Sequence, residues 1–278
     1  MEDVGSIENI QHGLVREALR LTGIESGVEI TTIADIPGQG TGLGSSSSVT
    51  VGLLNAMHAF QGREVSKEQL AEEACQIEID TLGAPIGRQD QYAASFGGVN
   101  SIRFGENGVQ VEPIEVSESL SKKLYESFTL VFTGLTRSAS KVLSEQSDDE
   151  SDKNSRMREI RKHADEAASH IENGDLDSLG AILNQTWISK RGVSSMVTNT
   201  QIDDLYERVI SSGALGAKLL GAGNGGFLLV CGNRQLRGIL QRELGEGHRM
   251  FPLEIDFSGS SIILSLIHIS EPTRLAII

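Results

Sequence analysis

Residues 37–48 read Pro37-Gly38-Gln39-Gly40-Thr41-Gly42-Leu43-Gly44-Ser45-Ser46-Ser47-Ser48, glycines at alternate positions and then consecutive serines. The run opens a helix, because Val49, Leu53, Ala56, Met57 and Phe60 recur at helical spacing. Ahead of it, residues 28–34 (Val-Glu-Ile-Thr-Thr-Ile-Ala) have the β-branched composition of a strand. A strand, a glycine loop and a serine-rich helix start describe a place where backbone N–H groups surround an anion. Glycines let the backbone approach closely, and a helix N-terminus adds unpaired donors and the positive end of its dipole. A flexible linker is the competing reading of a Gly/Ser run, but linkers seldom lie between two patterned elements with a proline such as Pro37 at their start. The loop is not of Walker type, since Ser45 stands where a lysine would follow the last glycine. Nor do Gly38, Gly40, Gly42 and Gly44 have the spacing of a dinucleotide fingerprint.

The chain of 278 residues is long enough for one large domain or two of ordinary size, and its 38% hydrophobic content suits a globular protein. A net charge of −14 argues against nucleic acid or an anionic membrane as partner. It does not argue against an anionic nucleotide, because a local loop and a metal ion overrule the mean field. Cys75 and Cys231 lie far apart and make neither a disulfide framework nor a zinc site, so apolar packing in a reducing compartment is expected. No stretch approaches the length of a membrane span and no signal peptide precedes the first helix. The expectation is a cytoplasmic protein.

Helical spacing predicts a first helix over residues 10–21. A capping box at Ser66-Lys67-Glu68-Gln69 predicts another running to about Asp80. Residues 96–103 read as a turn into a strand, and Gly105-Glu106-Asn107-Gly108 as a hairpin turn. Residues 117–126 form a polar transition, and a domain boundary is expected there. Residues 128–133 read as a short buried strand, and helices are expected between about 138 and 192, interrupted by the acidic run 145–152. A helix over 201–212, a strand over 214–220, a glycine loop over 221–226, a strand over 227–231, a helix over 235–244 and a last strand over 261–264 follow. Helices and strands intermingle without regular βα alternation, which predicts an α+β class.

Two carboxylates stand out. Projected at about 100° per residue, Glu78 falls between Ala71 and Ala74 on the apolar face, while Glu68, Glu72 and Glu73 fall on the polar side. A carboxylate on a packing face needs a compensating cation or hydrogen bonds. Mg²⁺ and a basic side chain from elsewhere are both open on helix geometry alone. Asp90 follows the Pro/Gly break at residues 83–87 and reads as a loop residue, either a turn former or a catalytic group.

Together these pieces resemble the GHMP kinase superfamily, which includes galacto-, homoserine, mevalonate and phosphomevalonate kinases. Its central motif Pro-x-x-x-Gly-Leu-Gly-Ser-Ser corresponds to residues 37–48, and its last motif to residues 216–226, Gly-Ala-Lys-Leu-Leu-Gly-Ala-Gly-Asn-Gly-Gly. The resemblance covers about residues 9–264. Within the superfamily the chain is similar to the D-glycero-D-manno-heptose 7-phosphate kinases, on LAEEACQIEIDTLGAPIGRQDQYAASFGGVN, FTGLTRSASKVLSEQ and GALGAKLLGAGNGGFLLV. Fucose-type kinases share such segments.

The resemblance implies a two-domain α+β fold: a ribosomal protein S5 domain 2-like N-terminal domain over 1–116 and a ferredoxin-like C-terminal domain over 117–264. It implies that Gly40, Gly42, Leu43, Gly44, Ser45, Ser46 and Ser47 hold the ATP phosphates, and that Gly221, Gly223, Gly225 and Gly226 close a second backbone turn against them. Ser46 and Glu78 would ligate Mg²⁺, and Asp90 would be the general base facing the sugar hydroxyl. Arg88, Thr133 and Arg137 are candidate substrate contacts, with a surface salt bridge as the alternative for Arg137. Trp187 reads as core and Lys190 as solvated, with a pocket role as the alternative for each.

The implied activity is transfer of the ATP γ-phosphoryl group to the anomeric hydroxyl of D-glycero-D-manno-heptose 7-phosphate. The alternatives are another sugar kinase of fucose type, or a non-catalytic nucleotide- or sugar-binding fragment. A small sugar phosphate is the expected partner, with no nucleic acid, no membrane, and a homodimer as the assembly to test. The family's first strand and its Arg- and Gly-rich motif have no match here, so the expectation is a chain lacking its first strands, with the activity of this chain in doubt. Residues 265–278 do not continue the family pattern and read as a non-native tail, with a genuine short tail as the alternative.

Overall fold

The computed structural model describes residues 2–34, 40–136 and 150–263. Pro37, Arg137, most of the acidic run 145–152 and the tail 265–278 lie outside the described residues. The described residues form two compact units, one of residues 2–34, 44–98 and 256–263, the other of residues 40–43 and 99–255. The expected two-domain α+β architecture is present.

The first unit is helical. Helices α1 (Gly13–Thr22), α2 (Ser45–Phe60), α3 (Lys67–Cys75) and α4 (Gln89–Phe96) enclose Ala18, Leu19, Val51, Leu54, Met57, Leu70, Ala74 and Ile77. Burial of each large apolar side chain contributes roughly 1.5–3 kcal/mol. The serine half of the capping box forms, Ser66 Oγ accepting from the Gln69 N–H at 3.1 Å, while the Gln69 side chain donates to Glu73 Oε1 at 2.8 Å instead of turning back to Ser66. α3 then runs into a π-helical turn, Gln76–Thr81, which carries Glu78. Such turns widen a helix locally and recur at functional sites.

Two strand expectations need correction. Residues 28–34 run without a ladder partner among the described residues, and Ile33 is 81% exposed. β-branched composition shows only that residues suit a pleated surface; the ladder also requires a partner edge. Residues 261–263 form no strand either. The chain ahead of them returns to the end of α4: Gly98 N–H donates to the Asp256 carbonyl at 2.7 Å, and Ser260 N–H to the Ser95 carbonyl at 3.3 Å. Lys67 Nζ clamps the return through the carbonyls of Phe96 and Ser258 at 2.7 and 3.0 Å.

The second unit opens with a hairpin, β1 (Val99–Gly105) and β2 (Gly108–Ile114), turning where expected. The compact units part at Gly98, ahead of the polar transition at 117, because this hairpin belongs with the second unit, where Arg103 pairs with Asp165 at 2.9 Å. The transition itself is helix α5 (Glu118–Ser127), capped by Ser117 Oγ and burying Leu120 and Leu124 at i,i+4 spacing. There follow β3 (Phe128–Phe132), α6 (Glu150–Asn173), α7 (Leu176–Arg191), α8 (Thr200–Ser211), β4 (Gly216–Leu219), β5 (Phe227–Cys231), α9 (Leu236–Leu244) and β6 (Met250–Pro252).

These strands make an antiparallel sheet in the order β4-β5-β3-β6. With helices after its first and third strands, this is the β-α-β-β-α-β succession of a ferredoxin-like domain. Period-two alternation distributes the strand residues over two faces. Val131, Ala217, Leu219, Leu228 and Val230 join Trp187, Leu205, Val209 and Leu240 in one core, while Phe128, Leu229 and Cys231 turn toward Leu120, Leu124 and Leu179 in the other.

Candidate active site

In the first unit the site is built at the start of α2. Gly44 is its N-cap, held at φ +68, and no side chain caps the helix. The first-turn N–H groups and the dipole's positive end therefore converge where the serines begin, which is the physical requirement for an anion site. Ser45 is half-buried, Ser47 is buried, and Ser46 is exposed with its hydroxyl donating to Glu78 Oε1.

Glu78 is 1% exposed, as its position on the apolar face predicted. Its other oxygen accepts from Gln91 Nε2 at 2.7 Å. Neutral donors thus hold a fully buried carboxylate, and among the described residues it forms no ion pair. Gln91 was not singled out from the sequence, though Gln91, Tyr92 and Ser95 form the buried side of α4 and that spacing could have marked it.

Asp90 lies on the first turn of α4, which corrects its reading as a loop residue. Its carboxyl sits directly over the N-cap: a Cβ placed on Gly44 would stand 3.2 Å from Asp90 Cγ. Burial raises the Asp90 pKa, the Gln89 side chain opposes this by hydrogen bonding, and the Glu78 charge raises it further. The first unit thus gathers an uncapped helix N-terminus, a serine hydroxyl and two neighbouring carboxylates.

Among the described residues no group of three His, Cys, Asp or Glu side chains could hold a metal by itself. The donors present nevertheless suit a hard cation. Ser46 and Glu78 offer oxygens, the local charge is negative, and Mg²⁺ is commonly held by one or two carboxylates completed by substrate phosphates.

In the second unit two glycine loops meet backbone to backbone. Gly40 and Gly42 have φ +73 and +72, and Gly221, Gly223 and Gly226 have φ +65, +118 and +97. A Cβ on Gly221 would lie 2.5 Å from Gly42 Cα, and one on Gly226 would lie 2.3 Å from the Thr41 carbonyl oxygen. Leu43 is half-buried beside this contact, and Gly225 completes the second loop.

The second loop is pinned from several sides. Thr133 Oγ1 donates to the Gly226 carbonyl at 2.8 Å, and Gly226 N–H donates to the Leu135 carbonyl at 2.8 Å. Asn224 N–H donates to the Val197 carbonyl at 2.7 Å, while its side-chain oxygen accepts from Asn199 Nδ2 at 2.5 Å. Thr133, a candidate substrate contact, is therefore engaged as a buttress of the loop. Arg88 lies 5.8 Å from the Tyr92 ring centroid, and its pKa is raised, chiefly by the neighbouring Cys75 thiol. Trp187 is fully buried against Tyr206, as the core reading expected, and Lys190 is half-buried, its ammonium donating to the Gly221 carbonyl. Both cysteines are free and buried.

Among the described residues no helix is long and apolar enough to cross a membrane. The model of the GHMP kinases N terminal domain matches residues 9–98, and that of the GHMP kinases C terminal domain matches residues 167–247, together more than half of the chain. D-glycero-alpha-D-manno-heptose 7-phosphate kinase of Campylobacter jejuni is 34% identical over 200 residues, 71% of this chain and 59% of the relative. The bifunctional fucokinase/GDP-fucose pyrophosphorylase of Arabidopsis thaliana is 29% identical over 263 residues, 87% of this chain and 24% of the relative. The chain therefore spans less than two thirds of the length of these relatives. The crystal structure of a D-glycero-D-manno-heptose 1-phosphate kinase from Bacteriodes thetaiotaomicron shares the fold, with a TM-score of 0.70 at 24% identity over 88% of this chain and 72% of that one. With both domain models matched in order and the motif loops folded as backbone cradles, the chain belongs to the GHMP kinases.

Proposed function

We propose that this chain carries the catalytic centre of an ATP-dependent sugar kinase. Its acceptor is the anomeric hydroxyl of D-glycero-D-manno-heptose 7-phosphate, and its products are the 1,7-bisphosphate and ADP. The observation that carries the reading is the Asp90 carboxyl set over the uncapped N-terminus of α2, beside the Ser46–Glu78 pair. The heptose substrate is taken from the name of the relative at 34% identity.

In this reading the N–H groups of Gly44 to Ser47 receive the ATP phosphates, and the serine hydroxyls add donors. Asp90 accepts the proton of the sugar hydroxyl as the new O–P bond forms and the bond to ADP breaks. Its raised pKa makes it a stronger base than an ordinary aspartate. Glu78 and Ser46 would hold Mg²⁺, which neutralises charge developing on the transferring phosphoryl group. The Gln91 amide fixes the Glu78 rotamer, so the carboxylate points toward the helix start without a cation to hold it there. The proposed setting is the cytoplasm.

The test is ADP release by the full chain with Mg²⁺-ATP and a panel of heptose 7-phosphate, unphosphorylated heptose and fucose. Turnover restricted to the heptose 7-phosphate is expected, with Asp90→Asn losing about 10²–10⁴-fold in rate. Preference for fucose would replace the substrate, and full turnover by Asp90→Asn would remove the base assignment.

A further inference from the structure

We propose that Gln91 is a positioning residue that ties the cation ligand Glu78 to the base Asp90, an inference resting on the kinase reading above. The groups involved all lie in the first unit, on α2, on α4 and on the π-helical turn after α3. Gln91 is 0% exposed, and its amide nitrogen donates to Glu78 Oε2 at 2.7 Å. Its amide oxygen is buried with no hydrogen-bond partner among the described residues. Packing does not account for such a side chain, because an unsatisfied buried polar atom destabilises and an apolar residue of similar size would avoid it. What the amide supplies is a donor to Glu78. Turned over, it would set its oxygen against the carboxylate.

Helix α4 carries the effect of that bond beyond Glu78. It has 8 residues, and its two ends are held differently. At the far end Ser95 Oγ donates to the Lys67 carbonyl at 2.6 Å, and Gly98 N–H donates to the Asp256 carbonyl. At the near end the N-cap is Arg88, whose side chain makes no capping bond. The first turn, which holds Asp90, is instead anchored to Glu78 through Gln91.

Asp90 and Gln91 are successive residues of one helix and project about 100° apart. With Gln91 held on Glu78, the rotation of α4 about its axis is set, and Asp90 is aimed over Gly44. Without the bond, a rotation of about 15° would move a side-chain tip by about 1.5 Å at the outer radius of about 5–6 Å. Glu78 is held from its other side by the Ser46 hydroxyl on the first turn of α2. Contacts therefore run from Gly44 through Asp90, Gln91 and Glu78 to Ser46 and back to the same helix start, so base and cation ligand are set together.

The test is Gln91→Met in the full chain, which keeps side-chain length and removes the amide. Mn²⁺ binding in the presence of a non-hydrolysable ATP analogue, read by electron paramagnetic resonance, is expected to weaken about 10–100-fold. At saturating Mg²⁺, kcat is expected to fall on the order of 10²-fold, with KM for ATP near wild type. A folded variant with wild-type Mn²⁺ affinity and kcat, even at a lower Tm, would make Gln91 merely structural and overturn the inference. Weaker Mn²⁺ binding with wild-type kcat at saturating Mg²⁺ would overturn the tie to Asp90. Should the variant not fold, NMR of the wild-type chain decides: the Gln91 side-chain amide resonances should shift when Mg²⁺ is added with the analogue, and no shift overturns the inference. A wild-type chain that neither binds Mn²⁺ nor turns over loses the kinase reading and this inference together, whereas an unaltered variant beside an active wild type removes this inference alone.

Discussion

Gly221→Ala tests whether the contact between the two glycine loops positions the chemistry. Gly221 sits at φ +65, where an alanine costs about 1–2 kcal/mol over glycine. Its new Cβ would lie 2.5 Å from Gly42 Cα, against a comfortable carbon–carbon separation of about 3.5 Å, so the loops must part by about 1 Å. Gly42 is two residues before the N-cap Gly44, so the prediction is that the displacement reaches the anion site through this covalent link. A misplacement of about 1 Å costs on the order of 10²-fold in rate. The expected result is a kcat/KM about 100-fold below wild type together with a destabilisation of roughly 1–2 kcal/mol. Coupled ADP-release kinetics and urea unfolding on the same preparations measure both. Wild-type KM for ATP and wild-type kcat in a variant with that stability loss would refute the positioning role of the loop contact.

Gly52→Ala serves as the opposite case: Gly52 lies inside α2 with open space around its Cβ direction, and the change should stabilise by roughly 0.5–1 kcal/mol in urea unfolding without altering turnover. Asp90→Asn should raise Tm while abolishing most activity, because it removes a charge that burial and Glu78 disfavour; a lowered Tm would contradict this. The sign also fixes a pH effect. A carboxyl whose folded pKa lies above its unfolded value holds its proton longer in the folded state, so its contribution to stability falls as pH rises from about 4 through the folded value. Wild type should show this loss in pH-dependent unfolding and Asp90→Asn should not. The acid limb of kcat/KM should likewise fall at a pH above that of an ordinary aspartate. Glu78→Gln should weaken the Mg²⁺ dependence of activity while keeping the fold, read by Mg²⁺ titration of rate and by circular dichroism.

Most of the secondary structure was legible because its causes are local. The capping serine at Ser66, the glycines at Gly105 and Gly108, the apolar run of residues 227–231 and the helical spacing after Ser45 each act within a few residues, and each element formed there. The misreadings have causes of another kind. Residues 28–34 have strand composition and no partner edge among the described residues, while α5 is a helix whose cap at Ser117 and pair Leu120/Leu124 were masked by its polar content. Asp90 was read into a loop because the Pro/Gly break before it is strong, yet the helix begins immediately at Gln89.

The sequence by itself determined which residues could carry the chemistry: a glycine-serine loop for phosphate, Glu78 as a carboxylate on the wrong face of its helix, and a second glycine loop after β4. Only the tertiary structure decided what each of them meets. Ser46 and Glu78 are 32 residues apart, Thr133 and Gly226 are 93 apart, and Gln91 joins Glu78 from a different helix. Spacing along the chain records the period of one element, whereas these contacts depend on how elements pack, a choice made by burial of the whole core. The same packing brings Lys190, an ordinary charge in the sequence, onto the carbonyl of Gly221, 31 residues away.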